Sequence, residues 1–149
     1  MTREYVETNH LESQISFPMY ACSREMIKLY KPFLDPLDLT YTQYITMMAL
    51  WDERVMTVKT LGERLYLDSG TLTPLLKKLE QKGLVNRKRS SEDERNLIVT
   101  ITAGGEALRK KAASIPGEIV RLLRMDEEEC TRLCAQLNEI LRRIENPEM

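Results

Sequence analysis

The sequence predicts a mainly α-helical fold that carries one small β-hairpin. In residues 71–83, leucines recur at the i, i+3, i+4 and i+7 spacing of one helix face, namely Leu72, Leu75, Leu76 and Leu79. A tight corner at 67–70 separates this helix from another predicted helix at 58–66. Two short apolar runs follow, 84–89 and 97–101, and a highly charged segment divides them. Helix, turn, helix and hairpin in this order predict a winged helix-turn-helix.

Two helical segments are predicted before this unit. Residues 11–34 are compatible with a helix that has Pro32 near its end. Pro36 and Asp38 predict a break in the chain. The apolar run from 42 to 51 then predicts a buried helix.

Local chemistry predicts where the two helices of the helix-turn-helix begin and end. The Thr57 hydroxyl can accept a hydrogen bond from an unpaired N–H of the first turn, which makes Thr57 a helix N-cap. We expect Pro74 in the first turn of the second helix, where its missing N–H does no harm. Gly83 is expected to end that helix, because glycine readily adopts the left-handed conformation that follows many helices.

The last third of the chain predicts further helices. Thr102 can cap a long helix, which Gly104 and Gly105 weaken in its first turns and Pro116 kinks or divides. Asp126 begins a last helix, and the helix dipole favours the acidic side chains of its first turn. An apolar stripe follows along this helix, made of Cys130, Leu133, Cys134, Leu137, Ile140, Leu141 and Ile144.

Composition and charge suit one globular domain with a localised basic patch. The chain has 149 residues, of which 42% are apolar and 30% charged. Its net charge of −1 gives no overall attraction to nucleic acid. Within 77–89, however, six cationic side chains accompany Glu80 as the only acid, whereas 126–149 carries seven acidic and three basic side chains. A basic patch on a neutral protein indicates an anionic partner.

Several functional classes lack their sequence signals. No apolar run approaches the roughly 18 residues of a membrane span, and the amino terminus lacks the apolar core of a signal peptide. We therefore expect a cytoplasmic protein with no membrane partner, whose three cysteines are reduced. His10 is the only histidine, and HExxH and CxxC motifs are absent, so no metal site is expected. Glycine-rich phosphate loops and the GxSxG motif are absent too, and we predict neither a cofactor nor an enzyme.

The polar face of the 71–83 helix predicts contacts with DNA. Hydroxyls and amines near the start of the second helix of a helix-turn-helix can meet base edges in the major groove. The candidates here are Ser69, Thr71, Thr73, Lys77 and Lys78. An ordinary solvated helix face is the alternative.

The charged segment between the two apolar runs predicts a wing that also contacts DNA. Its basic residues, Arg87, Lys88 and Arg89, would meet backbone phosphate. Arg95 would enter the minor groove, whose negative potential attracts arginine, and Asp93 could hold it in place. A flexible charged hairpin is the alternative.

These segments resemble a known family. The stretch LGERLYLDSGTLTPLLKKLEQKGLVNRKRSSEDERNLIVTIT is similar to the winged helix of the MarR family of bacterial regulators. Within that family it resembles the OhrR subgroup, which represses genes for organic-peroxide resistance. LDSGTLTPLLK and DER are specific segments, YACSRE and YKPFLD match the subgroup too, and the resemblance covers nearly the whole chain.

The resemblance implies a single domain over 1–149 that forms a symmetric homodimer. Residues 57–101 would be the DNA-binding lobe, while 9–35 and 102–145 would form dimerisation helices. The two lobes would bind a pseudo-palindromic operator in double-stranded DNA, with recognition helices roughly 34 Å apart. The stripe of the last helix suits a dimer face, and an intramolecular core is its alternative.

The resemblance also implies a sensor position. OhrR-like proteins sense organic hydroperoxide through a cysteine of the first helix, which two tyrosines of the partner subunit hydrogen-bond. The matching residues here are Tyr30, Tyr41 and, in place of the cysteine, Ser16, which has no sulfur to oxidise. Either a deliberate Cys→Ser change locks the DNA-binding state, or the natural protein has lost or relocated its sensor. With cysteine at position 16, an organic hydroperoxide would be the inducer.

Other interpretations stay open. Cys22 points to another side of the first helix, Cys130 is the better candidate for a second redox cysteine, and packing is expected for both and for Cys134. A non-redox regulator, released from DNA by a small aromatic or lipid-like ligand, would need an apolar pocket. Its candidate lining is Met19, Met26, Met47, Met48, Tyr20, Tyr44 and Trp51. A winged helix that docks protein instead of DNA is a further alternative.

Overall fold

The computed structural model describes residues 10–92 and 96–148, and it confirms a mainly helical fold with a small antiparallel sheet. The helices are α1 (Ser16–Leu34), α2 (Tyr41–Glu53), α3 (Val58–Leu65), α4 (Ser69–Gln81), α5 (Ala103–Ala112), α6 (Ile115–Leu123) and α7 (Glu127–Glu145). The strands are β1 (Val55–Thr57), β2 (Val85–Arg89) and β3 (Leu97–Ile101), and short 3-10 turns flank α1 at Leu11–Ser13 and Asp35–Leu37. Within the described residues, no helix combines the length and the apolar character needed to cross a membrane.

The sheet contains one strand more than the predicted hairpin. β2 and β3 pair antiparallel, with Arg87 opposite Val99, and β1 pairs with the other edge of β3, with Met56 opposite Val99. The strand order is therefore β1-β3-β2. Three residues are too few to show the alternation that marks a strand in sequence, so only the pairing with β3 reveals β1. Because Val99 is fully buried, the sheet fixes the base of the wing to the core.

The start of the helix-turn-helix agrees with the sequence at one cap and differs at the other. The Thr57 hydroxyl accepts a hydrogen bond from the Thr60 N–H at 3.1 Å, which confirms the predicted N-cap of α3. The corner is shorter than predicted, because Asp68 caps α4 and makes Ser69 the first helical residue. Pro74 is consequently the sixth residue of α4, and the expectation that it lies in the first turn is wrong.

The end of α4 confirms the predicted role of Gly83. This glycine has a φ of 75°, in the left-handed region that glycine adopts without strain. Its N–H donates to the carbonyl of Glu80 at 2.9 Å, and the N–H of Leu84 donates to the carbonyl of Leu79 at 3.0 Å. This pair of bonds satisfies two terminal carbonyls of α4 and turns the chain directly into β2.

Gly105 has a packing role that differs from the sequence expectation of a weakened helix start. A Cβ atom on Gly105 would lie 2.3 Å from the carbonyl oxygen of Leu84 and 2.7 Å from Cγ1 of Ile101. The carbonyl of Gly105 also accepts a 2.9 Å hydrogen bond from Nε1 of the buried Trp51. The missing side chain therefore allows α5 to approach the sheet and α2 closely.

The chain divides into two compact units, one ending at Ala113 and the other beginning at Ser114. In the second unit, Pro116 lies in the first turn of α6, which confirms the predicted division of the helix at this proline. Asp126 and Glu129 cap α7 reciprocally, each side chain accepting from the backbone N–H of the other. The core of the first unit includes the fully buried side chains Leu34, Met47, Leu50, Leu61, Leu72, Leu76, Leu79, Val85 and Val99.

Candidate DNA interface and sensor position

The polar face of α4 lies opposite its buried stripe. Leu72, Leu75, Leu76 and Leu79 are all buried. The five contact residues predicted on this helix are all exposed: Ser69, Thr71, Thr73, Lys77 and Lys78. The hydroxyls therefore lie near the amino end, which reaches base edges in a helix-turn-helix, and the ammonium groups lie farther along the helix. This arrangement can contact bases and phosphates together.

One of the free backbone N–H groups at the amino terminus of α4 already has a partner in the Asp68 cap. Oδ1 of Asp68 accepts the N–H of Thr71 at 2.7 Å. This hydrogen bond holds the pKa of the Asp68 carboxyl below its ordinary value. A phosphate at this end of the helix would meet a carboxylate, so the side chains of α4 are better placed for contacts than its free backbone N–H groups.

Arg87 turns inward along the wing instead of outward. Its backbone N–H donates to Oε2 of Glu80 at 2.8 Å, and its Nη2 donates to Oε1 at 3.2 Å. The Arg87 side chain is only 20% exposed. These bonds, the backbone bond first, lower the pKa of the Glu80 carboxyl. Arg87 thus holds β2 against α4, and its guanidinium is engaged before any phosphate arrives.

The structure describes the wing on either side of residues 93–95. Lys88 and Arg89 are exposed, as a phosphate contact requires. The N–H of Ser90 donates to the carbonyl of Asn96 at 2.7 Å and closes the base of the tip. Asp93 and Arg95 lie outside the described residues, so the predicted minor-groove contact stays a prediction.

A groove between α3, the amino-terminal half of α4 and the base of the wing adds two residues to the candidate interface. Lys59 and Asn96 line it together with Ser69, Thr73 and the carboxylates Glu63 and Asp68. Sequence reasoning considered only α4 and the wing, and so it missed both. The signal available for Lys59 was its place in the first turn of α3, on the side away from the buried Leu61.

The three residues of the predicted sensor position occupy two helices. Ser16 is the exposed first residue of α1, Tyr30 lies near the end of the same helix, and Tyr41 is the first residue of α2. The rings of Tyr30 and Tyr41 pack edge to face, with their centroids 5.0 Å apart. Tyr44 completes the cluster at 5.7 Å from Tyr30. The structure therefore brings the two predicted tyrosines together.

Burial raises the pKa of these phenols still further above neutrality. It raises the pKa of Tyr30 to about 12, and the neighbouring Tyr41 and Tyr44 contribute to the increase. Burial also raises the pKa of Tyr41 and of Tyr44. Like any tyrosine hydroxyl, each can donate a hydrogen bond at neutral pH to an oxygen or sulfur atom placed beside it.

Sequence comparison places the chain in a family. It is 50% identical over 131 residues to the organic hydroperoxide resistance transcriptional regulator of Bacillus subtilis (strain 168), covering 88% of this chain and 89% of that protein. The chain is an OhrR-like member of the MarR family of transcriptional regulators.

Further comparisons agree with this OhrR-like assignment. The chain matches the family described as transcriptional regulator SarA/Rot over residues 28–115. It is 42% identical over 137 residues to the HTH-type transcriptional regulator SarZ of Staphylococcus aureus (strain USA300), covering 92% of this chain and 93% of that one. Its fold is similar to that of reduced AbfR bound to DNA, with a TM-score of 0.77, 31% identity, and coverage of 97% of this chain and 99% of that chain.

The cysteines of this OhrR-like chain lie nearer the surface than packing residues would. Cys22 on α1 and Cys134 on α7 are exposed, and Cys130 is partly exposed. Within the single chain the expected core role is therefore unmet for Cys22, whereas core or interface packing was expected for Cys130 and Cys134. For Cys134 only the interface alternative is compatible with its exposure in the single chain.

The apolar residues predicted to line a ligand pocket divide between core and surface. Tyr44, Met47 and Trp51 are buried in the core of the first unit, and Met26 is partly exposed. The remaining three are exposed: Met19, Tyr20 and Met48. Tyr44, Met47 and Trp51 therefore pack in the core of this MarR-family chain.

Proposed function

We propose that this protein is a homodimeric repressor that binds a pseudo-palindromic operator in double-stranded DNA. The observation that carries the proposal is the exposed row of hydroxyl and ammonium groups on α4, opposite four buried leucines and beside a basic wing. The similarity in fold to reduced AbfR bound to DNA supports it. Residues 57–101 form the proposed DNA-binding lobe, and such a regulator works in the cytoplasm, where its bacterial relatives hold their DNA.

The proposed contacts follow from exposure and position. Ser69, Thr71 and Thr73 face base edges in the major groove. Phosphate contacts come from Lys77, Lys78, Lys88 and Arg89, with Lys59 and Asn96 added from the groove beside α4. Arg95, oriented by Asp93, remains the proposed minor-groove contact. Arg87 supports the wing through Glu80 instead of binding phosphate.

Exposed apolar surfaces support the homodimer. On α7, the stripe leaves Leu133, Leu137, Leu141 and Ile144 between 38% and 67% exposed. On α1, Met19, Tyr20 and Ile27 are exposed as well. Contiguous apolar surface of this kind marks a protein interface. The proposed dimerisation segments, 9–35 and 102–145, contain both surfaces.

The sensor residues also require a second subunit. Ser16 and Tyr30 lie on one helix, fourteen residues apart. At 1.5 Å per residue this places them about 21 Å apart along the axis, far beyond hydrogen-bond distance. A Tyr30 hydroxyl can therefore reach position 16 only from a partner chain, which agrees with the arrangement that the resemblance implies.

We infer that position 16 determines whether the protein responds to peroxide. The name of the Bacillus relative points to organic hydroperoxide as the signal. A serine hydroxyl can accept the tyrosine hydrogen bonds but cannot form a sulfenic acid. The chain with Ser16 therefore behaves as the locked, DNA-binding form, whether the serine is natural or engineered. Ser16→Cys supplies the missing sulfur.

Fluorescence anisotropy tests the proposed function. A labelled duplex from the promoter of the protein's own gene is titrated with the Ser16 protein and with Ser16→Cys, each with and without cumene hydroperoxide. Both proteins should bind, and only the cysteine protein should release the duplex after oxidation. A scrambled duplex of the same length is the control for specificity.

Two outcomes would contradict the proposal in different ways. Equal, weak affinity for the promoter and the scrambled duplex would exclude an operator-binding repressor. Release of DNA by the oxidised Ser16 protein would move sensing to Cys22 or to the pair on α7. The absence of sulfur at position 16 favours one further candidate, release by a small aromatic or lipid-like ligand. That candidate predicts that such a compound, but no peroxide, lowers the affinity of the Ser16 protein.

A further inference from the structure

Lys82 makes contacts that its place in the basic patch does not suggest. It is the C-cap residue of α4, and its side chain is only 28% exposed. Its Nζ donates to the backbone carbonyl of Asp38, donates to Oε1 of Gln43 at 3.3 Å, and lies 3.4 Å from Oδ2 of Asp38. An ammonium group has three N–H donors, and three oxygen atoms surround this one. Lys82 can reach a phosphate only by giving up these contacts.

The acceptors of Lys82 belong to the first turn of α2. Gln43 is 4% exposed, and its Oε1 also accepts the backbone N–H of Thr40 at 3.0 Å. The Thr40 hydroxyl in turn accepts the N–H of Gln43 at 3.3 Å, which completes the capping box of α2. One amide oxygen therefore serves the start of α2 and the end of α4 together. Tyr41, whose ring packs on Tyr30, is the first residue of the same turn.

Lys78 provides the contrast on the same helix. It lies four residues earlier, one turn away, and its side chain is exposed on the proposed DNA face. Two lysines of one helix thus have different surroundings, one facing solvent and the other facing three protein oxygens. The difference separates a residue that contacts DNA from one that fixes the helix presenting the contacts.

We propose that Lys82 is a positioning residue for DNA recognition, which fixes the carboxyl end of α4 to the first turn of α2 and makes no contact with phosphate. The inference rests on the proposed function and deepens it. A recognition helix must hold its contact residues in register with the bases, and small displacements reduce affinity. Substituting Lys82 loosens the carboxyl end of α4, but every residue of the proposed DNA contacts remains unchanged.

The dependence of DNA affinity on salt distinguishes the two roles. Each phosphate contact contributes a slope of about −0.9 to log K against log salt concentration. We compare Lys82→Met and Lys78→Met, two matched changes that remove one ammonium group each from α4. With the promoter duplex, Lys78→Met should make the slope less negative by about 0.9. Lys82→Met should weaken binding roughly tenfold, a typical coupling effect, with the slope of the unmodified protein.

A conservative variant and a measurement without DNA complete the test. Lys82→Arg keeps a cation that can donate to Asp38 and Gln43, so it should recover most of the affinity. In Lys82→Met, amide hydrogen exchange should accelerate in the first turn of α2 and the last turn of α4, with the remaining core unchanged. If Lys82→Met fails to fold, Lys82→Gln, which retains a donor, takes its place in both measurements.

The inference and the proposed function fail differently. Salt-independent or absent binding by the unmodified protein overturns the proposed function and the inference with it. If the unmodified protein binds normally, two results overturn the inference alone. One is a Lys82→Met protein with unchanged affinity, and the other is a Lys82→Met protein whose salt slope changes as that of Lys78→Met does.

Discussion

At the scale of single residues, two glycines should respond oppositely to alanine. In Gly105→Ala, the new Cβ would meet the Leu84 carbonyl oxygen at 2.3 Å, Ile101 Cγ1 at 2.7 Å and Met47 Cε at 3.1 Å. A backbone oxygen cannot move aside as a flexible side chain can. We expect Gly105→Ala to lower the free energy of unfolding by roughly 3 kcal/mol, as overpacking of a core does. Urea denaturation followed by circular dichroism measures the change.

Gly117 on α6 is the matched control for this prediction. A Cβ added there meets no described atom within 4 Å. Alanine also favours a helix over glycine, so Gly117→Ala should raise the free energy of unfolding by about 0.5–1 kcal/mol. If the two substitutions changed the free energy of unfolding equally, helix propensity, and not the close approach at Gly105, would explain the effect of Gly105→Ala.

Residue roles were predictable where the partner is near in sequence. Thr57 and Gly83 were assigned correctly because a helix cap depends on its own segment and two or three neighbours. Gly105, Arg87 and Lys82 were not, because their contacts come from other helices, strands or turns, such as Met47 for Gly105, Glu80 for Arg87 and Asp38 for Lys82. Charge and residue type do not show which cation of a basic run has an internal partner.

At the scale of elements, the attachment of the wing to α4 should weaken in acid. Hydrogen bonds from Arg87 lower the pKa of Glu80 in the folded protein. A carboxyl with a lowered folded pKa stabilises the fold above its unfolded pKa, about 4.3 for glutamate, and loses that stabilisation as pH falls through the folded pKa. We therefore expect thermal stability to decline below about pH 4.3, in part through Glu80.

Glutamine substitutions isolate this contribution. Glu80→Gln should have a lower Tm than the unmodified protein at pH 7 and a smaller loss of Tm between pH 7 and pH 3. Asp68 and Glu139, whose pKa values are also lowered by hydrogen bonds, account for part of the remaining acid sensitivity. Glu63→Gln, at an exposed position on α3, is the control. If Glu80→Gln lost as much Tm in acid as Glu63→Gln, the link between Glu80 and Arg87 would not stabilise the wing.

The elements themselves were predicted well where periodicity or turn chemistry is strong. The leucine stripe located α4, and the apolar runs located β2 within one residue and β3 to the residue. The corner before α4 was placed too late, since the sequence reading used Thr71 as the start and overlooked Asp68 as a cap. β1 is a strand only because it pairs with β3, and no local sequence pattern shows that pairing.

At the scale of the whole molecule, the proposed sensor position was predictable only through resemblance. Periodicity and charge predicted the proposed DNA face of α4, but nothing in the spacing of Ser16, Tyr30 and Tyr41 relates them. The structure of one chain pairs the two tyrosines and separates Ser16 from Tyr30 along α1. The proposed sensor position therefore needs a second chain to bring a tyrosine hydroxyl to position 16.

The dimer itself leads to the last prediction. Leu137 lies in the middle of the α7 stripe and is 39% exposed in the single chain. Leu137→Glu would place a charge inside the proposed interface, where it loses its hydration without gaining a partner. We expect a monomer by analytical ultracentrifugation at micromolar concentration, together with a large loss of affinity for the promoter duplex, because two linked lobes bind far more tightly than one. Gln136→Glu adds the same charge at the preceding, exposed position and should remain a dimer with full affinity. A dimeric Leu137→Glu protein would mean that α7 does not form the interface, and the meeting of Ser16 with a partner's Tyr30 would then require a different surface.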